Sequence, residues 1–233
     1  MPYGDRGLLV EFGNSMDRDI SLRVLVLNER VVAKDIPGLI ETVPTFHSLL
    51  IRYDPLRVRF EEIQARVDSL AANLKTEAQP GRRWRLPVCY ETDFAPDLTD
   101  VADRCGLSPS RVIEMHSERA HHVYMVGFLA GCPYLGDLPD ALSLPRRSDP
   151  RLRVPKGSVA IALTMTIVYP VISPGGWHLI GKTPFEIFDA AWQRPALFKP
   201  GDKIEFEAIS PARFEELEKA VLHDGHCLEP VSA

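Results

Sequence analysis

Ser173-Pro174-Gly175-Gly176-Trp177-His178-Leu179-Ile180-Gly181-Lys182-Thr183 admits two readings, and the choice between them sets the fold. From Gly176 the stretch satisfies the Gly-x-x-x-x-Gly-Lys-Ser/Thr spelling of a phosphate-cradling loop, which would make the chain a nucleotide-binding α/β protein. That chemistry needs bare backbone N–H groups in a tight loop and a helix whose N-terminus faces the phosphates. Here the four middle positions are Trp177, His178, Leu179 and Ile180, which favour a strand, and Pro184 follows in the stretch that should start the helix. The segment therefore reads as a strand between two turns.

Its surroundings have the same texture. From His121 onward, short apolar runs (Val123–Phe128, Ser158–Ala162, Thr166–Val171, Trp177–Ile180 and Lys203–Ala208) are punctuated by Pro and Gly. Turn-formers between β-rich runs indicate a barrel or sandwich, not a parallel αβ sheet. Upstream lie two expected helices, Leu98–Cys105 and Pro109–Ala120, with Ser108 as N-cap and Pro109 at the first helical position. Together they spell something close to a helix-turn-helix. However, the second helix offers Arg111, Glu114, His116, Glu118 and Arg119, a mixed face unlike that of a DNA reader.

The N-terminal third alternates differently. Leu8–Phe12 reads as a strand, Asp19–Val31 as an amphipathic helix, Gly38–Val43 and Ser48–Tyr53 as strands, and Arg57–Leu74 as a second helix. With Trp84–Tyr90 offered as a final strand, this order suggests a ferredoxin-like sandwich. The polar, Gly/Pro-bearing stretch Lys75–Arg83 reads as a linker, so the expected organisation is α+β, with domains at 1–82 and 83–233.

Bulk properties exclude more than they reveal. The 233 residues carry a formal charge of −5, which argues against a nucleic-acid partner. The start, Met1-Pro2-Tyr3-Gly4-Asp5-Arg6, lacks a signal-peptide profile, and the longest apolar-rich run, Val159–Ile172, is too short to span a bilayer. A cytoplasmic location without membrane contact is expected. Cys89, Cys105, Cys132 and Cys227 form no Cys-x-x-Cys pair, and the histidines show no metal-ligand spacing. Cys132 reads as a buried, inert thiol rather than a nucleophile.

Five cations, Arg146, Arg147, Arg151, Arg153 and Lys156, crowd one Pro-framed stretch relieved only by Asp149. Such a loop can clamp a carboxylate or phosphate, arginine in bidentate fashion.

In chain order, several motifs then resemble one family: Gly127-Phe128-x-x-Gly131-x-Pro133-Tyr134-Leu135-Gly136, Pro145-Arg146-Arg147, Arg153-Val154-Pro155-x-Gly157-Ser158-Val159, Tyr169-Pro170 and the Ser173–Pro184 segment. Gly4-Asp5-Arg6-x-Leu8-Leu9-Val10-Glu11-Phe12 and Pro200-Gly201-Asp202 agree as well. The chain is similar to the KipI / 5-oxoprolinase B-subunit family, also called allophanate hydrolase subunit 1 or carboxyltransferase subdomain C and D. The resemblance implies a ferredoxin-like N-terminal domain and a cyclophilin-like β-barrel. It implies a KipA-like partner, the C-type component of 5-oxoprolinase, and a third component of the LamB/YcsF type. With ATP bound by the complex, the three would open 5-oxoproline to glutamate. An alternative the resemblance carries is inhibition of a sensor histidine kinase.

Chemistry and motif position together nominate His178 as proton donor or acceptor, Arg146, Arg147, Arg153 and Lys156 as anion clamps, and Lys182 and Thr183 as further polar contacts. Two departures from the family stand out. Leu163, Met165 and Ile167 occupy places where relatives carry glycine, glutamine and glycine, and Ala130 and Cys132 replace Pro and Phe. The first change touches a loop where glycine's positive φ and an amide's hydrogen bonds would matter.

Overall fold

The computed structural model describes residues 1–72, 74, 81–91, 93–224 and 228–231. The expected linker Lys75–Arg83 lies mostly outside them, as does Cys227. The chain folds as two compact units, Met1–Pro80 and Gly81–Ala233.

The first unit runs β1 (Gly7–Glu11), α1 (Arg18–Ala33), β2 (Leu39–Pro44), β3 (Ser48–Tyr53) and α2 (Phe60–Ala71). Its antiparallel sheet has the order β1-β3-β2. Helix α1 starts where the Asp17 carboxylate accepts the Asp19 and Ile20 N–H groups, which would otherwise lack partners. Val24, Leu27 and Val31 recur on one helix face, and they share a core with Leu49 and Ile51 of β3 and Ile63 and Val67 of α2. Among the described residues this sheet has three strands, one fewer than the four that a ferredoxin-like sheet would require. Trp84–Tyr90, expected as the final strand of this sheet, falls mostly in β4 (Arg83–Cys89), which pairs with strands of the second unit. The reason is chemical. Buried Asp202 accepts the Arg82 N–H at 3.0 Å, an Arg82 guanidinium N–H at 2.9 Å and the Trp84 indole N–H at 2.9 Å. This fastens the start of β4 to the far end of the chain.

The second unit continues with α3 (Leu98–Cys105), α4 (Pro109–Ser117), β5 (Ala120–Val126), β6 (Pro133–Leu135), β7 (Arg151–Val154), β8 (Ser158–Ala162) and β9 (Met165–Val168). It ends with β10 (Ser173–Gly175), β11 (His178–Lys182), β12 (Lys203–Ile209), α5 (Pro211–Asp224) and β13 (Pro230–Val231). The sheet order is β11-β8-β9-β6-β5-β12-β4-β13, and a β11–β4 pairing through Lys182 and Cys89 closes seven of these strands into a barrel. All neighbours are antiparallel except β12 and β4, which run parallel. Closure removes the exposed edges that an open sheet of this size would present.

Strand β8 is buried along its whole length because both of its faces are covered. Val159 and Ile161 join the core that also takes Val168, Ile180, Ile204 and residues of α3 and α4. Ala160 and Ala162 join a second cluster with Cys132, Tyr169, Trp177 and Leu179. The β7–β10 pair is a separate two-stranded ribbon. At Gly175 on that ribbon a Cβ would stand 2.1 Å from the Tyr169 hydroxyl, so only glycine allows this approach.

The helix-turn-helix spelling resolves into packing. Val101, Ala102 and Val112 are fully buried, and the His116 ring lies in the core, hydrogen-bonded to the Tyr90 hydroxyl at 2.8 Å and the Thr166 hydroxyl at 3.1 Å. The expected helix to Ala120 ends at Ser117, where the chain turns into β5. Helix α5 has no counterpart among the sequence expectations. Among the described residues, no helix is long and apolar enough to cross a membrane.

Candidate functional site

The segment Gly176–Thr183 is a strand with no phosphate loop in it. His178–Lys182 pairs antiparallel with β8, and the next element is strand β12 at Lys203, so no helix opens at Thr183. Because a strand advances about 3.3 Å per residue, His178 and Lys182 stand roughly 13 Å apart along β11. The side chains expected to share one site therefore fall into two groups, one at each end of this strand.

At the first end, His178 is fully buried. Its Nε2 lies 2.9 Å from the Pro145 carbonyl, and a carbonyl only accepts, so Nε2 carries the proton. The Nδ1 lone pair is left buried with no hydrogen-bond partner. The Ser173 hydroxyl, also buried and unpartnered, begins the ribbon strand just before the turn that leads to His178.

The basic stretch sorts itself by partner. Asp97, at the N-cap of α3, is almost completely buried, and its two oxygens hold Arg151 in a bidentate pair at 2.8 and 2.6 Å. They also take Arg147 at 3.1 Å and the backbone N–H of Leu179 at 2.7 Å. One carboxylate thus ties α3, the 147–151 stretch and β11 together, and it engages the guanidinium expected at Arg147 as a clamp. Charge-assisted, bidentate bonds of this kind are short and directional. Arg146 is exposed instead, with its guanidinium 5.6 Å from the centre of the Trp177 ring and no carboxylate partner among the described residues. Arg153 is exposed and makes no ion pair among them either.

Beneath Arg146 lie Tyr134 and Tyr169. Burial pushes the Tyr169 hydroxyl up to about 12 and raises that of Tyr134, and Arg146 offsets part of both shifts. Both phenols therefore stay protonated and can donate. Cys132 in the same cluster is fully buried and pushed up to about 12 by desolvation, the condition of an inert thiol.

At the other end, Lys156, Lys182 and Thr183 line one cavity of about 170 Å3 with Glu186 and Glu218. Lys156 forms an ion pair with Glu186. The Lys182 ammonium sits 5.3 Å from the centre of the Phe214 ring of α5. Gly157, at φ +80°, shapes the floor, since a Cβ there would stand 2.6 Å from the Thr183 carbonyl. Of the expected site residues, then, His178, Arg146 and Arg147 come together at one end, and Lys156, Lys182 and Thr183 at the other. Arg153 belongs to β7.

Sequence reasoning missed Asp97 and Glu218. Neither carried a local signal, because the partners of Asp97 lie 50, 54 and 82 residues further along the chain. Among the described residues, no group of three or more His, Cys, Asp or Glu side chains is placed to hold a metal ion.

The departing loop is also clear. Leu163 adopts φ +54°, the left-handed region that favours glycine, and its side chain is half exposed. Ile167 stands in regular β9, buried and needing no positive φ, so its side chain fills the second cluster instead.

This site on this barrel defines a class. The profile of the carboxyltransferase domain, subdomain C and D, matches residues 1–198, and the chain belongs to that family. Within it, the chain is 37% identical over 218 residues to the B subunit of 5-oxoprolinase from Bacillus subtilis (strain 168), covering 89% of this chain and 91% of that one. It is 43% identical over 168 residues to the B subunit of 5-oxoprolinase from Haemophilus influenzae, covering 72% of this chain and 78% of that protein. Among solved structures, that of TTHA0988 superposes with a TM-score of 0.80 at 35% identity, covering 88% of this chain but only 40% of the other.

Proposed function

We propose that this chain is the B-type subunit of an ATP-dependent cyclic-amide hydrolase of the 5-oxoprolinase kind. Its partners in this reading are a KipA-like, C-type protein and a LamB/YcsF-type protein. The observation that carries the reading is the agreement with the B subunit of 5-oxoprolinase along nearly the full length of both chains. The family match over residues 1–198 includes the basic stretch and the Ser173–Thr183 segment alike.

The geometry supports a division of labour. Arg146, exposed and without a carboxylate, is placed to receive the carboxylate of a small acid, and Arg153 supplements it. Asp97 holds Arg147 and Arg151, which keeps the backbone of the same stretch in place. With its proton fixed on Nε2, His178 offers Nδ1 as the acceptor side of a proton transfer. Because that nitrogen is buried, the transfer requires the Pro174–Trp177 turn to shift when a partner or substrate docks. Strand β11 and the turn before it offer no triphosphate cradle. ATP is therefore assigned to the complex.

The test is to co-express the chain with its KipA-like and LamB/YcsF-type partners and to measure ATP hydrolysis that depends on 5-oxoproline. The expected result is turnover that disappears when this chain is omitted and falls at least a hundredfold with His178→Gln. A complex that assembles fully but hydrolyses no ATP on adding 5-oxoproline contradicts the reading.

A further inference from the structure

The cavity at the Lys182 end holds acids as well as bases, and that balance identifies a ligand. Lys156 and Glu186 neutralise one another. Lys182 and Glu218 do not. Both are half-buried on the walls of one cavity, yet they form no ion pair with each other or with any other described residue. The Lys182 ammonium is held over the Phe214 ring. Lys182 stands on strand β11 and Glu218 on helix α5, and both charges are left to line the cavity without a partner among the described residues.

The Thr183 hydroxyl supplies a third polar contact. Its oxygen already accepts the Phe185 N–H at 3.3 Å, which leaves its own proton to give. The volume of about 170 Å3 is roughly that of six water molecules, enough for a small metabolite and well below a drug-sized or nucleotide pocket. A cavity presenting a cation, a hydroxyl donor and an anion is matched by a molecule that carries both charges.

We propose that this cavity binds a small amino acid in its zwitterionic form, with its carboxylate on Lys182 and Thr183 and its ammonium on Glu218. Simple anions are disfavoured because Glu218 repels them, and simple amines because Lys182 does. Lys182 takes the carboxylate end because it is the cation here without a carboxylate partner, whereas Lys156 already has one. The proposal goes beyond the enzyme-subunit reading and does not depend on it. Binding is measured on this chain alone and turnover on the complex, so either can fail without the other.

The experiment is isothermal titration of the full chain with glycine, L-alanine and L-glutamate, alongside glutarate, which lacks the ammonium, and butylammonium, which lacks the carboxylate. At least one of the three amino acids is expected to bind ten times more tightly than either control. Glu218→Gln and Lys182→Met should each weaken it tenfold or more, while Lys182→Arg, which keeps the cation, should hold it within threefold. Should Lys182→Met fail to fold, Glu218→Gln on the surface helix α5 decides alone. No heat from any of the three amino acids up to 20 mM overturns the proposal. Glutarate binding as tightly as the best amino acid, or unchanged affinity in Glu218→Gln, overturns it equally.

Discussion

At its first residue β11 carries a histidine sealed inside the protein, and at its last a lysine on the wall of a cavity. Around His178 the buried charges are matched by geometry, and exposed Arg146 is left without a carboxylate partner among the described residues. Asp97 takes two guanidinium groups and a backbone N–H, and the Pro145 carbonyl fixes the imidazole proton. In the cavity beside Lys182, Lys156 pairs with Glu186, whereas Lys182 and Glu218 line the same cavity without an ion pair. The first end is built for position and the second for exchange with solvent. One strand can serve both because its two ends lie against different neighbours, α3 with the 145–151 stretch at one and α5 at the other.

That contrast is tested most severely by removing the carboxylate that organises the first end. Asp97→Ala leaves two guanidinium groups, each about a quarter exposed, without their partner. The expected cost is about 3 kcal/mol, the low end for a broken buried ion pair because the arginines keep some water. Urea unfolding midpoints measure it, with Lys182→Met beside it as the control expected to change stability by less than about 1 kcal/mol. A larger loss in the lysine variant breaks the comparison.

Acid probes the barrel core between the two ends. Burial holds His116 well below the usual histidine value, with His121 adding to the effect, and burial lowers His121 as well. As the pH falls below about 6.5, the unfolded chain takes up protons that the folded chain refuses, so stability drops. Between pH 7 and pH 5 the expected loss is up to about 2 kcal/mol from His116. It is read as a falling urea midpoint whose slope His116→Gln reduces, with the remainder coming from His121. Stability that rises over this range contradicts the placement of the ring.

A smaller effect belongs to the loop before the strand. Leu163→Gly relieves a left-handed leucine at about 1–2 kcal/mol and gives back part of that through added freedom in the unfolded chain. The urea midpoint should rise by an amount worth about 0.5–1 kcal/mol, and a fall would mean that the leucine side chain is packed more firmly than its exposure suggests. The least effect of all is expected at Cys132. Iodoacetamide at pH 8 should leave it unmodified in the folded chain and react once urea unfolds it, because desolvation suppresses the thiolate.

Strand positions were legible wherever apolar residues ran together, as in Ser158–Ala162, where the expected and observed strands coincide. The β7–β10 ribbon was not, since the alternation Arg151-Leu152-Arg153-Val154 spans only four residues and its partner Ser173-Pro174-Gly175 is mostly turn-forming. Helix α5 did carry a signal, with Ser210 capping Arg213 and Phe214 and Leu217 three residues apart on a buried face. Strand β4 read correctly as a strand but not as to its sheet, because Asp202, which anchors it, lies about 120 residues away. The site was named residue by residue, but its division was hidden. Motif order brings His178 and Lys182 together in the sequence, and strand geometry separates them in space.

One crossed measurement tests that division directly: urea midpoint and L-glutamate titration heat, taken on Asp97→Asn and Lys182→Met in the same buffer. The two-ended account predicts that the aspartate variant loses stability and keeps its ligand, while the lysine variant keeps its stability and loses the ligand. Loss of both properties in both variants would show that the ends of β11 form a single site and would contradict the account.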